Sequence, residues 1–187
     1  MDVASVAASP APSITLTSVE FLRKRALVLA LASLLIIALG LRLYGINWDD
    51  GADFSLHPDE RSIVWTAQQL SPSSLKDPLE LFDVDKSSLV PRSPNQTSGH
   101  GVYDYGSLPF YTLASGSWLI GLLPGVETTD LYTMTLIGRA LSAILDTGTV
   151  LLVFLIGRRL FRPGVGLLAA VFTTFAVLHI QLSHFYT

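Results

Sequence analysis

Cysteine is absent from this chain, which excludes disulfides, thiolate metal sites and a cysteine nucleophile while leaving the redox compartment open. Charge is scarce as well. Asp, Glu, Lys and Arg make up 14% of the 187 residues, against about 25% in a soluble domain. Half of the chain is apolar (50%), so the composition is that of a membrane protein. The net charge is −3, and basic residues cluster only in short runs at the edges of apolar stretches, which excludes nucleic acid as a partner. Apolar periodicity is missing from residues 1–20, where Pro10, Pro12 and several Ser, Thr and Ala fall. Those residues read as a disordered cytoplasmic tail.

What the chain does have is long apolar runs. The first follows Arg23-Lys24-Arg25, is free of charge from Ala26 to Leu41 and continues to about Ile46. It meets the ~20 residues needed to cross ~30 Å of hydrocarbon. A cleaved signal peptide is the competing reading, but Leu41-Arg42-Leu43 is a poor cleavage site. The run is therefore a retained span over 26–46 with its N-terminus in the cytoplasm, and Arg42 is expected to snorkel to the headgroups. Residues 47–105 carry ten acidic residues against Arg61, Lys76, Lys86 and Arg92, which places them outside. A connection this long is usually functional. Asn95-Gln96-Thr97 fits a glycosylation sequon, a pattern that also arises by chance.

Three more apolar stretches follow: Leu108–Leu123, Leu131–Gly157 interrupted by Arg139 and Asp146, and Val165–Leu182. If all three crossed, Arg158, Arg159 and Arg162 would lie outside, against the positive-inside rule. The first stretch is short and holds Ser115, Gly116, Ser117 and Trp118, so it suits an interfacial helix. The expected architecture is all-α and polytopic, with spans at about 26–46, 138–157 and 165–183. The outer loop, 47–137, carries interfacial helices at about 58–70 and 108–123. The three arginines then act as topology determinants, and His184, Tyr186 and Thr187 emerge on the same face as Asp59.

His57-Pro58-Asp59-Glu60 stands in the outer loop. Pro suits the first position of a helix, and acids in the first turn suit the macrodipole, so a plain helix start explains the pattern without function. Stepping 100° per residue, the stripe Ile63, Ala67 and Leu70 is flanked at its start by Asp59 and Glu60, while Arg61, Trp65 and Gln68 point away. Both carboxylates are thus expected to lean over the buried side, as a functional pair would.

Several short segments recur around this pair: Tyr105-Gly106-Ser107-Leu108-Pro109-Phe110-Tyr111, Gly138-Arg139-Ala140-Leu141-Ser142-Ala143, Gly157-Arg158-Arg159-Leu160-Phe161 and Ser183-His184-Phe185-Tyr186-Thr187. Together with the basic-led first span and Pro58-Asp59-Glu60, their order and spacing resemble the start of a bacterial polyprenyl-phosphate-dependent glycosyltransferase of the GT-C fold. The kin are the protein O-mannosyltransferase and aminoarabinose transferase families (glycosyltransferase family 39-like), and the resemblance covers residues 21–187. It implies transfer of a sugar from a polyprenyl-phosphate carrier to an acceptor hydroxyl outside the cytoplasm, in the plasma membrane of a prokaryote. It matches Asp59 to the family's first-loop aspartate, a general base or acceptor-positioning group, and Glu60 to its acidic neighbour. A carboxylate is the right group to accept the proton an attacking hydroxyl loses. The phosphate leaving group needs positive charge or a metal, and a divalent metal on His57, Asp59 and Glu60 is the candidate cofactor.

Secondary candidates for substrate binding are His57, His100, Asp104, Tyr105 and His184. Asp146, within a span, is expected to face a partner on another helix, and His179 to be a hydrogen-bonded interior histidine. Members of the resembled families are far longer and carry another acidic residue directly after the segment ending at Thr187, so the chain reads as an N-terminal fragment, inactive alone. The alternative is a non-catalytic polytopic scaffold or a transporter fragment; no internal repeat supports the transporter.

Overall fold

The computed structural model describes residues 16–50, 57–70 and 106–186. These residues form helices and no strand: α1 (Leu16–Leu43), α2 (Pro58–Gln68), α3 (Leu108–Gly121), α4 (Leu131–Leu160), α5 (Pro163–Thr174) and α6 (Val177–Leu182). Helix α1 starts at Leu16, so the expected tail is helical over its last residues.

Two helices are long and apolar enough to cross a membrane, α1 from Glu20 to Leu43 and α4. In each, only 17% of the most apolar window is buried within the protein, so side chains such as Ile36, Leu152 and Ile156 face outward. A soluble core helix would hide them. Helix α4 begins earlier and ends later than expected. Asp130 caps it, its carboxylate accepting the Thr133 N–H at 2.9 Å. Partial burial opposes ionisation of Asp130, but hydrogen bonds from the Thr133 side chain and from the backbone of Thr133, Asp130 and Tyr132 together outweigh it and hold the carboxyl below its ordinary value.

Helix α4 links two cores. Near its middle, Val150 and Phe154 pack with Leu34 and Ala38 of α1 and Ala170 of α5. Toward its start, Met134 and Ile137 join Ile63, Val64, Ala67 and Leu70 of the α2 segment, Phe110 and Leu113 of α3, and Tyr186. The stripe read from the sequence, Ile63, Ala67 and Leu70, is the buried face of α2. Helix α3 lies against the first third of α4, with Gly116 facing Ile137 and Leu141.

Helices α4 and α5 form a tight hairpin. Arg162 is extended at φ −157° and ψ 161°, with Pro163 opening α5. Proline disfavours helical backbone in the residue before it, which ends one helix and starts the next. A Cβ on Gly157 would lie 2.8 Å from the Gly166 Cα, and one on Gly166 only 2.5 Å from the Phe154 carbonyl oxygen. Two glycines are what let the backbones approach.

The expected third span, 165–183, needs correction because it is not one helix. Helix α5 has 12 residues, or ~18 Å at 1.5 Å per residue, and the chain breaks at Phe175–Ala176 before the six residues of α6. The physical reason lies on another helix. Arg42 does not snorkel: it is fully buried, and it donates through Nη2 to the Thr173 carbonyl and through Nη1 to the Thr174 carbonyl, each at 3.4 Å. Carbonyls in the last turn of a helix lack their i+4 partner; that of Thr173 also accepts the Ala176 N–H at 3.4 Å. Its Nε donates to Asp146 at 2.6 Å. Asp146 thus finds the interhelical partner expected of it, and its other oxygen lies 2.8 Å from His179 Nδ1. His179 is hydrogen-bonded as expected, but its side chain is 45% exposed rather than interior.

Candidate functional site

The segment after α1 turns at Gly45, whose φ of 73° is the left-handed backbone that a side chain disfavours. The turn brings Ile46, Trp48 and Asp49 over the start of α4, where Arg139 waits. All five N–H donors of this buried guanidinium are used. Nη1 donates to Asp49 Oδ1 at 2.6 Å and to the Ile46 carbonyl at 2.8 Å. Nη2 donates to Asp49 Oδ2 at 2.8 Å and Glu60 Oε2 at 2.7 Å, and Nε to Glu60 Oε1 at 2.9 Å. Two carboxylates therefore grip one arginine, each bidentate, the strongest geometry such a pair has. The face of the guanidinium is covered by the Trp48 ring, 5.3 Å from its carbon, a cation–π contact.

Glu60 Oε1 also accepts the Tyr186 N–H at 3.0 Å, so the chain after α6 is tied to the first turn of α2. Around this bond the Tyr186 ring lies on Gly138, where a Cβ would come within 2.7 Å of it. Its hydroxyl lies 2.7 Å from the Pro109 carbonyl and 2.6 Å from Thr112 Oγ1. Burial pushes the Tyr186 phenol above its ordinary value, against the opposing effect of hydrogen bonds from the Thr112 side chain and the Leu113 backbone.

His57 caps α2: its Nδ1 accepts the Glu60 N–H at 3.4 Å. Its ring lies 4.5 Å from that of Phe185, which meets Trp48 edge-on at 5.7 Å. His184 bridges two carbonyls, with Nδ1 2.6 Å from Ile180 O and Nε2 2.7 Å from Tyr44 O. Both partners only accept, so the ring satisfies both when each nitrogen carries a proton.

The two members of the acidic pair have different surroundings. Glu60 is wholly buried, held by Arg139 and the Tyr186 N–H. Asp59 is half-buried in the first turn of α2, and no hydrogen bond or ion pair joins its side chain to a described residue. Adjacent residues on a helix point about 100° apart, so pinning one fixes where the other aims. A partly exposed carboxylate on such a rigid support can take a proton from a bound hydroxyl.

His57, Asp59 and Glu60 do not fit a metal. His57 turns Nδ1 to its own helix and Glu60 is committed to Arg139; among the described residues, no three His, Asp or Glu side chains gather to hold an ion. The candidates His100, Asp104 and Tyr105 lie outside the described residues.

Arg139, Asp49 and the Tyr186 N–H were not among the residues singled out as a site from the sequence. The signal for Arg139 was present: a charged side chain among apolar residues near a helix start needs partners of opposite charge, and residues 47–105 are rich in acids. Nothing in the sequence specified Asp49 among them. Four segments distant in the chain, 57–60, 109–112, 138–139 and 183–186, thus meet at one end of the molecule. No family model, curated protein or solved structure matches the chain.

Proposed function

We propose that this chain belongs to a polytopic membrane glycosyltransferase of GT-C type, which moves a sugar from a polyprenyl-phosphate carrier to an acceptor hydroxyl outside the cytoplasm. The observation that carries the reading is the meeting of those four segments around Glu60 and Arg139, which leaves Asp59 at the surface of the cluster. The resemblance rested on these four stretches, which are far apart in sequence, and on 157–161, which lies at the other end of α4. The convergence of the four at a single locus is what a common site requires.

In this reading Asp59 accepts the proton of the acceptor hydroxyl as its oxygen attacks the anomeric carbon, and the bond to the carrier phosphate breaks. Glu60 does not exchange protons; it is a positioning residue that fixes the first turn of α2 on Arg139. His57 contributes the cap of that turn, and His184 holds the α6 end against the α1 end.

The test is Asp59→Asn in the protein, assayed in membranes with radiolabelled polyprenyl-phosphate sugars, mannose and aminoarabinose among them. Transfer falls by a factor of about 100 to 10,000, the range of a lost general base, while the protein still floats with vesicles after carbonate extraction. Near-normal transfer by the variant would remove Asp59 from the chemistry. A wild-type protein that transfers none of these sugars would favour the scaffold.

A further inference from the structure

At the end opposite this site, a cavity of about 730 Å³ opens between the first half of α1 and the start of α5. Arg23 and Lys24 line it at one side, with Glu20 beside them; Leu27, Ala30 and Leu167 form apolar walls. No hydrogen bond or ion pair to a described residue engages Arg23 or Lys24. Arg25, Arg158, Arg159 and Arg162 stand at the same end of the helices, so among the described residues there six cations accompany one carboxylate, Glu20.

A pocket with a cationic rim and an apolar interior matches an amphiphile carrying a negative head. We propose that it binds an anionic phospholipid, its phosphate diester on Arg23 and Lys24 and the first part of an acyl chain along Leu27, Ala30 and Leu167. Inorganic phosphate would satisfy the rim and leave those walls in water, which burial of a chain avoids. Basic pockets between membrane helices on the cytoplasmic side attract such heads. The inference rests on the membrane part of the reading above and is independent of the chemistry at Asp59.

The experiment uses the full chain, purified in a neutral detergent and titrated with dioleoyl-phosphatidylglycerol or dioleoyl-phosphatidylcholine under native mass spectrometry. The wild type retains the anionic lipid at least about tenfold better, as two cations near a headgroup provide. Arg23→Gln with Lys24→Gln removes that preference. Ala30→Trp, which fills the cavity without changing charge, removes the adduct itself. Arg158→Gln with Arg159→Gln, outside the cavity, leaves both intact.

Equal retention of the two lipids by the wild type overturns the proposal without any variant. So does an equal loss from the Arg158 and Arg159 changes, which would mean diffuse surface charge, or displacement of the lipid by millimolar inorganic phosphate, which would mean a simple anion site. Failure of the chain to float with vesicles is a separate result, and sinks the membrane reading itself.

Discussion

At the scale of single residues, Asp59 and Glu60 show how far periodicity reaches. Stepping around the helix put both carboxylates over the buried side of α2, and the stripe Ile63, Ala67 and Leu70 is indeed buried. The division of labour between the two was not legible, because it depends on Arg139, 79 residues away from Glu60. The clamp has a measurable consequence. Arg139→Met leaves Asp49 and Glu60 buried against each other with no cation, and breaking a buried pair in this way costs about 3–5 kcal/mol. Glu60→Gln keeps an oxygen for the Tyr186 N–H and for Arg139 Nε but loses the charge and the acceptor for Arg139 Nη2; Asp49 still holds the guanidinium, so the cost is smaller, about 1–3 kcal/mol. Denaturant titration of the detergent-solubilised protein gives both values. An Arg139→Met protein as stable as the wild type would show that the guanidinium does not hold the site together.

Whole elements were legible where their causes are local. Pro58 and Pro163 open helices, Asp130 caps one, and length marks α1 and α4 as able to cross a membrane. The break in the expected 165–183 span had no local sign: Thr173-Thr174-Phe175-Ala176 contains neither proline nor glycine. Arg42, reaching in from α1, supplies the hydrogen bonds that make a broken helix tolerable. Backbone carbonyls left bare in hydrocarbon are costly, and broken helices persist where protein groups satisfy them. The α4–α5 hairpin is the element most exposed to a small change. In Gly166→Ala the new methyl meets the backbone of Phe154 and Arg158, which cannot swing aside as a side chain would. The expected loss is about 1–3 kcal/mol, typical of overpacking. A thermal melt that is unchanged in Gly166→Ala would mean the helices cross less closely.

The whole molecule is polarised end to end. Arg23 and Lys24 adjoin Pro163 and Gly164 at one end, while Asp49, Glu60 and Arg139 gather with Tyr186 at the other. Helices α5 and α6 together run from the first end to the second, so the return path assigned to one span is made by two short helices in tandem. Helix α3 stays against the first third of α4. This arrangement puts basic residues at one end of the two long apolar helices and the acidic site at the other; in the proposed reading, with α1 pointing outward, that is the distribution the positive-inside rule demands. The lack of native cysteine makes the orientation directly measurable. Single cysteines at Thr129, between α3 and α4, and at Phe161, in the α4–α5 turn, report on opposite ends. In intact cells, a membrane-impermeant maleimide labels Thr129→Cys at once and reaches Phe161→Cys after lysis. Labelling of both positions before lysis would mean that α4 does not cross. The reversed order would place Asp59 in the cytoplasm, where an outward-facing lipid-linked sugar could not meet it.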